Sequence, residues 1–97
     1  MTSDRQPRTD QLDALVGLEI VVDFASSYVC LGTLAAYDGA FLELADADLH
    51  DLRDSTATRE IYVYDSKRFG IRRNRARVLV RWQEVVAVTR MDDVLEG

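Results

Sequence analysis

Val29-Cys-Leu-Gly-Thr-Leu-Ala-Ala-Tyr-Asp-Gly-Ala-Phe-Leu-Glu-Leu44 is the stretch that decides the fold. Val29 to Tyr37 is a run of small and β-branched apolar residues. Asp38-Gly39 marks a tight turn, because Gly39 can take the positive φ that a twisted two-residue hairpin needs. Phe41 to Ala45 then returns as the second strand. Gly32 sits within the first strand, where glycine weakens a sheet unless the backbone bends or another backbone comes close. The pair therefore predicts a small, strongly curved sheet.

Outward from this hairpin, Leu18 to Phe24 reads as a preceding strand. Ile20, Val22 and Phe24 share one face, and Glu19, Val21 and Asp23 the other. Ala25-Ser26-Ser27 is the link. Further upstream, Thr9 or Asp10 caps a short helix with Leu12, Leu15 and Val16 at helical spacing and Gly17 at its end. Residues 1–8 are polar, hold Pro7, and read as a loose tail. Downstream, Asp46 and Asp48 alternate with Ala45, Ala47 and Leu49, as in a strand running out to a solvated end. Glu60-Ile-Tyr-Val-Tyr-Asp65 sets Ile61 and Val63 against Tyr62 and Tyr64, and predicts a strand extension or satellite hairpin turning at residues 65–70. Ala76 to Arg81 is a strand with Ala76, Val78 and Val80 opposite Arg75, Arg77, Leu79 and Arg81. Trp82-Gln83-Glu84 links it to a last strand, Val85 to Arg90. The expected organisation is one folded unit over residues 9–91, with a long variable loop around 49–74 and an acidic tail at 92–97. Short strands at this spacing predict an all-β barrel or sandwich.

Ninety-seven residues bound the chain to one domain with a modest core. A net charge of −5 argues, over the molecule as a whole, against nucleic acid or an anionic membrane as partner. Cys30 is the one cysteine and lies in an apolar strand, so it reads as a small core residue in a reducing compartment. No apolar run approaches the roughly 18 residues of a membrane span. The polar start is unlike a secretory signal, so a cytoplasmic location is expected. His50, the one histidine, is flanked by Asp46, Asp48, Asp51 and Asp54. One imidazole among mobile carboxylates is a poor ligand set, and Ser26 and Ser27 lack a histidine partner. No catalytic set, metal site or cofactor is expected, and the chain reads as a non-enzyme.

The cations are more informative. Lys67, Arg68, Arg72, Arg73, Arg75, Arg77 and Arg81 are seven of the twelve Lys and Arg, with no acid among them. Phe69 is interleaved, and Tyr62 and Tyr64 lie just before. Cationic side chains beside aromatic platforms suit single-stranded nucleic acid, through phosphate neutralisation and base stacking. The competing reading is that these charges offset the acids between Asp46 and Asp54, within or between subunits.

The order of these segments resembles the Sm/LSm family, which includes the bacterial Sm-like RNA chaperone. Leu18-Glu-Ile-Val-Val-Asp-Phe24, Leu31-Gly-Thr-Leu-Ala-Ala-Tyr-Asp38 and Phe41-Leu-Glu-Leu-Ala-Asp-Ala47 are similar to its first motif. Val78-Leu-Val-Arg-Trp-Gln-Glu-Val-Val-Ala-Val88 is similar to its second. The resemblance implies a helix-capped, strongly bent, five-stranded open barrel. It also implies a homo-oligomeric ring of six or seven subunits, in which the fourth strand of one pairs with the fifth of the next. The function it implies is RNA binding or RNA chaperoning. The alternative is an oligomeric scaffold acting through protein contacts. The family's base pocket would fall at Asp38, Phe41, Arg81 and Trp82, with Asp38 and Arg81 as a supporting pair and Phe41 or Trp82 as stacking surface. Where the family pattern has an asparagine, this chain has Leu42, which offers no amide to a base edge. Sequence-tolerant RNA binding, or none, follows from that departure.

Overall fold

The computed structural model describes residues 10–96. The expected tail at 1–8, the alternative cap Thr9, and Gly97 lie outside the described residues. A short helix, α1 (Asp10–Asp13), leads into five strands: β1 (Glu19–Phe24), β2 (Tyr28–Tyr37), β3 (Phe41–Asp51), β4 (Arg75–Arg81) and β5 (Val85–Arg90). All pairings are antiparallel, in the order β4-β3-β2-β1-β5. The sheet is therefore open, with β4 and β5 at its two edges. Gly17, at φ 89°, turns the chain from α1 into β1. Its N–H donates to Leu34 O at 2.7 Å, which ties the helix end to β2.

The alternation read in β1 holds. Ile20 and Val22 join Cys30, Leu34, Leu42, Leu44, Ala47 and Val80 in one buried cluster, with Phe24, Leu15 and Trp82 packed against it. Sheet curvature arises where the register slips, between Leu31 and Thr33, between Leu34 and Ala36, and between Asp23 and Phe24. Asp46, at φ 49°, is the non-glycine residue in the left-handed region there. Gly32 faces this slip. A Cβ on it would meet Ala47 Cβ at 3.0 Å and Ala45 O at 3.1 Å, so of the two reasons for a mid-strand glycine, a bend or a close approach, the close approach is present.

The hairpin turn differs from expectation. The positive φ values fall at Gly17, Gly70 and Asp46, not at Gly39. Asp38 closes the turn instead. Its Oδ1 accepts from the N–H groups of Ala40 and Phe41, both at 2.8 Å, an Asx-type device that replaces the backbone strain.

Residues 60–65, expected as strand, are helical. Helix α2 spans Arg59–Phe69. Thr58 caps it by accepting from Ile61 N at 3.2 Å, and Gly70, at φ 99°, ends it. Glu60 lies in the first turn and Lys67 and Arg68 in the last, matching the helix dipole. The segment expected as a loop around 49–74 thus begins with the end of β3 and carries a helix. Helix α2 lies on the second face of the sheet, where Val63 packs with Val21, Val29, Leu31 and Met91. Tyr62 stacks on His50 of β3, ring centroids 4.1 Å apart and 9° from parallel. The sheet is covered on both faces, which the unbroken apolar run Val29-Cys30-Leu31 reflects.

Candidate nucleic-acid interface

The candidate residues fall at two places. At one end of the sheet, register sets Phe41 opposite Arg81. The β2–β3 turn meets the β4–β5 link there. Trp82 N donates to Ala40 O at 3.1 Å, and its indole Nε1 donates to Asp38 O at 2.7 Å. Gly39, Ala40, Phe41, Arg81, Trp82 and Gln83 line a cavity of about 430 Å³. The expected Asp38–Arg81 pair is not formed. The Asp38 carboxylate is engaged by its own turn, and the Ala40 and Phe41 amides hold its pKa below the usual carboxylate value. Arg81 reaches Glu84 at 3.6 Å instead. Trp82 packs on the core, whereas Phe41 is half-buried at the cavity wall. Leu42 is fully buried, so the place of the family's asparagine is a core position.

The second group begins at the end of α2 and runs into β4. Arg75 and Arg81 are six residues apart on β4, about 20 Å at strand rise, so the cationic run does not form one patch. Its members also differ in what they already hold. Lys67 Nζ donates to Val94 O at 2.6 Å and Asp92 O at 3.2 Å, tying the C-terminal segment to α2. Arg77 is paired with Glu43 on the neighbouring strand. Arg75 Nη1 donates to Asn74 O at 3.1 Å. Arg68 lies over Phe69 at 4.8 Å and Tyr64 at 5.8 Å from the ring centres. Arg72 and Arg73 are exposed and make no hydrogen bond or ion pair among the described residues.

Asn74, which sequence reading passed over, positions this group. Its N–H donates to Ala47 O at 2.8 Å, and its Oδ1 accepts from Leu49 N at 3.0 Å. Its Nδ2 donates to Leu49 O at 3.2 Å and Asp48 Oδ1 at 3.0 Å. The side chain thereby extends the β3–β4 pairing to the link before β4. A lone asparagine in an arginine-rich run carries no sequence signal of this role. Burial raises the Asp48 carboxyl, against the opposing influence of His50, Arg72 and the Asn74 hydrogen bond.

The expected match of the acidic and basic segments is therefore partial. Asp48 feels Arg72 and bonds Asn74, but Asp51 is held by neighbours of its own. Arg53 binds its Oδ2 at 2.7 Å and Ser27 Oγ donates to its Oδ1 at 2.8 Å, keeping its carboxyl well below the usual range. Cys30 is fully buried, and burial pushes its thiol up to about 12, which leaves it inert near neutrality.

No protein-family model matches the chain, and neither does any curated protein. Solved structures do. An Sm protein from Pyrococcus abyssii, in complex with a uridine heptamer, superposes with a TM-score of 0.59 at 17% identity, over 84% of this chain and 93% of that one. An Sm-like protein from Archaeoglobus fulgidus gives a TM-score of 0.57 at 16% identity, over 91% of this chain and 99% of that one. The strand order, the sharply bent sheet and the short leading helix thus define a protein of the Sm-like fold. This chain is an Sm-fold protein with a helix, α2, between its third and fourth strands.

Proposed function

We propose that this chain assembles through its edge strands into a ring and binds single-stranded RNA, with weak preference among base sequences. The observation that carries the reading is the charge distribution. Six cations stand between Lys67 and Arg77 with no acid, while the rest of the chain has six against seventeen acids. A molecule acidic overall that concentrates half of its cations in a stretch without acids, with Arg72 and Arg73 making no hydrogen bond or ion pair among the described residues, has a localised site for phosphates. The Sm protein solved with a uridine heptamer supports the same ligand class. Weak sequence preference follows from Leu42, a buried side chain with no hydrogen-bonding group at the place where an amide would read a base. Repetition of the stretch around a ring makes individually weak contacts multivalent.

The scaffold alternative has one observation in its favour. Trp82 is spent on Asp38 and the core, so the loop-end cavity has Phe41 as its remaining stacking surface. The two readings separate in a polarisation titration of the chain against short labelled oligoadenylate and oligouridylate. RNA binding predicts that affinity falls steeply between roughly 50 and 200 mM salt, because releasing condensed counterions gains less entropy as the bulk salt rises. No binding to either RNA at low salt would leave the scaffold reading standing.

A further inference from the structure

Beside the end of α2 lies a second cavity, of about 390 Å³, lined by Tyr62, Asp65, Ser66, Phe69, Gly70 and Arg72. Phe69 is 75% exposed, although a phenyl ring this far from the core gains nothing from solvent. It is not loose. The Arg68 guanidinium sits 4.8 Å from its centre, an arrangement that orients the ring and adds positive charge next to it. Gly70 follows directly, and a Cβ there would meet nothing within 4 Å, so the space past the ring is open. Arg72 lines the cavity and Arg73 follows it in the chain, and neither makes a hydrogen bond or ion pair among the described residues. Asp65 is the acid on the helix wall, and Ser66 already donates to Tyr62 O at 3.1 Å.

These features differ from the loop-end cavity in a way that assigns them a ligand. The loop-end arginine is paired with Glu84 and its indole is hydrogen-bonded. At the end of α2 the Phe69 ring is exposed, and Arg72 and Arg73 make no hydrogen bond or ion pair among the described residues. We propose that the end of α2 and residues 71–73 form a notch for one nucleotide of a single-stranded RNA, with its base stacked on Phe69 and the adjoining phosphates against Arg72 and Arg73. Asp65 keeps the phosphates off the helix wall, which fixes the direction in which the nucleotide enters. A bare electrostatic patch would serve any polyanion; the stacked ring makes the notch selective for a chain that offers a flat, unpaired base. The site rests on the RNA-binding reading above and deepens it, and it lies on helix α2 and its exit, not on the β2–β3 turn and the β4–β5 link.

The test uses the full chain, in polarisation titrations with short fluorescein-labelled oligoadenylate. Phe69→Ala is expected to weaken binding about tenfold, within the usual cost of losing one base–aromatic stack. The double variant Arg72→Ser with Arg73→Ser is expected to reduce the slope of log affinity against log salt by about 1.4, or about 0.7 for each phosphate no longer neutralised. All three side chains are exposed, so folding should survive, and circular dichroism checks that it does. If wild type binds and both variants bind equally well, the notch is wrong and RNA binding stands elsewhere. If the arginine variant alone weakens, the surface is an electrostatic patch and the nucleotide site is overturned. If wild type binds no RNA, this proposal and the RNA reading fall together.

Discussion

Gly32 is held to glycine by what it faces. A methyl group there would sit 3.0 Å from Ala47 Cβ and 3.1 Å from both Ala45 O and Ala47 Cα, and two of those three atoms are backbone. Gly32→Ala therefore pushes β2 and β3 apart at the point where their register slips. Such overpacking costs about 1–3 kcal/mol, read as a lowered urea midpoint; an unchanged midpoint would mean that β3 yields freely. Asp48 makes a different prediction. It is 2% exposed and its folded-state pKa is raised, chiefly by burial. A carboxyl raised on folding contributes stability that is complete below its unfolded pKa and lost as pH rises through the folded one. At neutral pH the ionised group is thus a burden. Asp48→Asn keeps an oxygen for Asn74 and removes the charge, so its melting temperature should exceed that of wild type at about pH 7. The difference should close as pH falls below the ordinary aspartate pKa of about 3.9. A constant difference across that range would show that Asp48 is not titrating as described.

Among the elements, α2 is the one that alternation misassigned. Ile61, Tyr62, Val63 and Tyr64 are strand formers and alternate by size. The punctuation around them was legible all the same: a capping threonine at 58, an acid at 60, cations at 67 and 68, and glycine at 70. Burial follows the helical period, with Val63 and Ser66 inward and Ile61 and Phe69 outward. Because few buried contacts hold the helix, its cap counts. Thr58→Ala should cost about 1 kcal/mol, and should speed amide exchange in α2 before exchange in β2 or β3. Equal acceleration across the sheet would mean that helix and barrel unfold as one unit.

At the scale of the whole molecule, the open sheet leaves β4 and β5 each with one side unpaired among the described residues, and Leu79 and Val86 stand 56% and 68% exposed on them. Exposed apolar edges invite pairing with another copy, and a closed ring removes them. The proposed assembly predicts a mass of several subunits by light scattering. Val86→Lys should reduce that mass while leaving each subunit folded, because the side chain is already exposed within the chain. Val80→Lys is the contrast: Val80 is 4% exposed in the core, so a charge there should prevent folding. A monodisperse wild-type monomer across micromolar concentrations would refute the ring.

The sequence by itself determined the five strands, their succession along the chain and the leading helix, and it marked Gly32 as a place of bending or of close approach. These follow from the period of two in the strands, from helical spacing and end signals in the helix, and from residue sizes, which are local properties. It also marked the cationic stretch, since charge is carried by identity alone. Only the tertiary structure decided which cations remain free. Lys67 is taken by carbonyls of the C-terminal segment and Arg77 by Glu43, engagements set by how α2 lies on the sheet and by strand register, while Arg81 meets Glu84 locally, three residues along the chain. The same holds for the turn. Asp38-Gly39 was legible as a turn, but that Asp38 would close it with its carboxylate and receive Trp82 on its carbonyl depends on two loops meeting across forty-four residues. The second apolar face of the sheet was hidden for a related reason. Val21, Val29 and Leu31 need a cover, and nothing in their own spacing says that residues 59–69 would fold into the helix that supplies it.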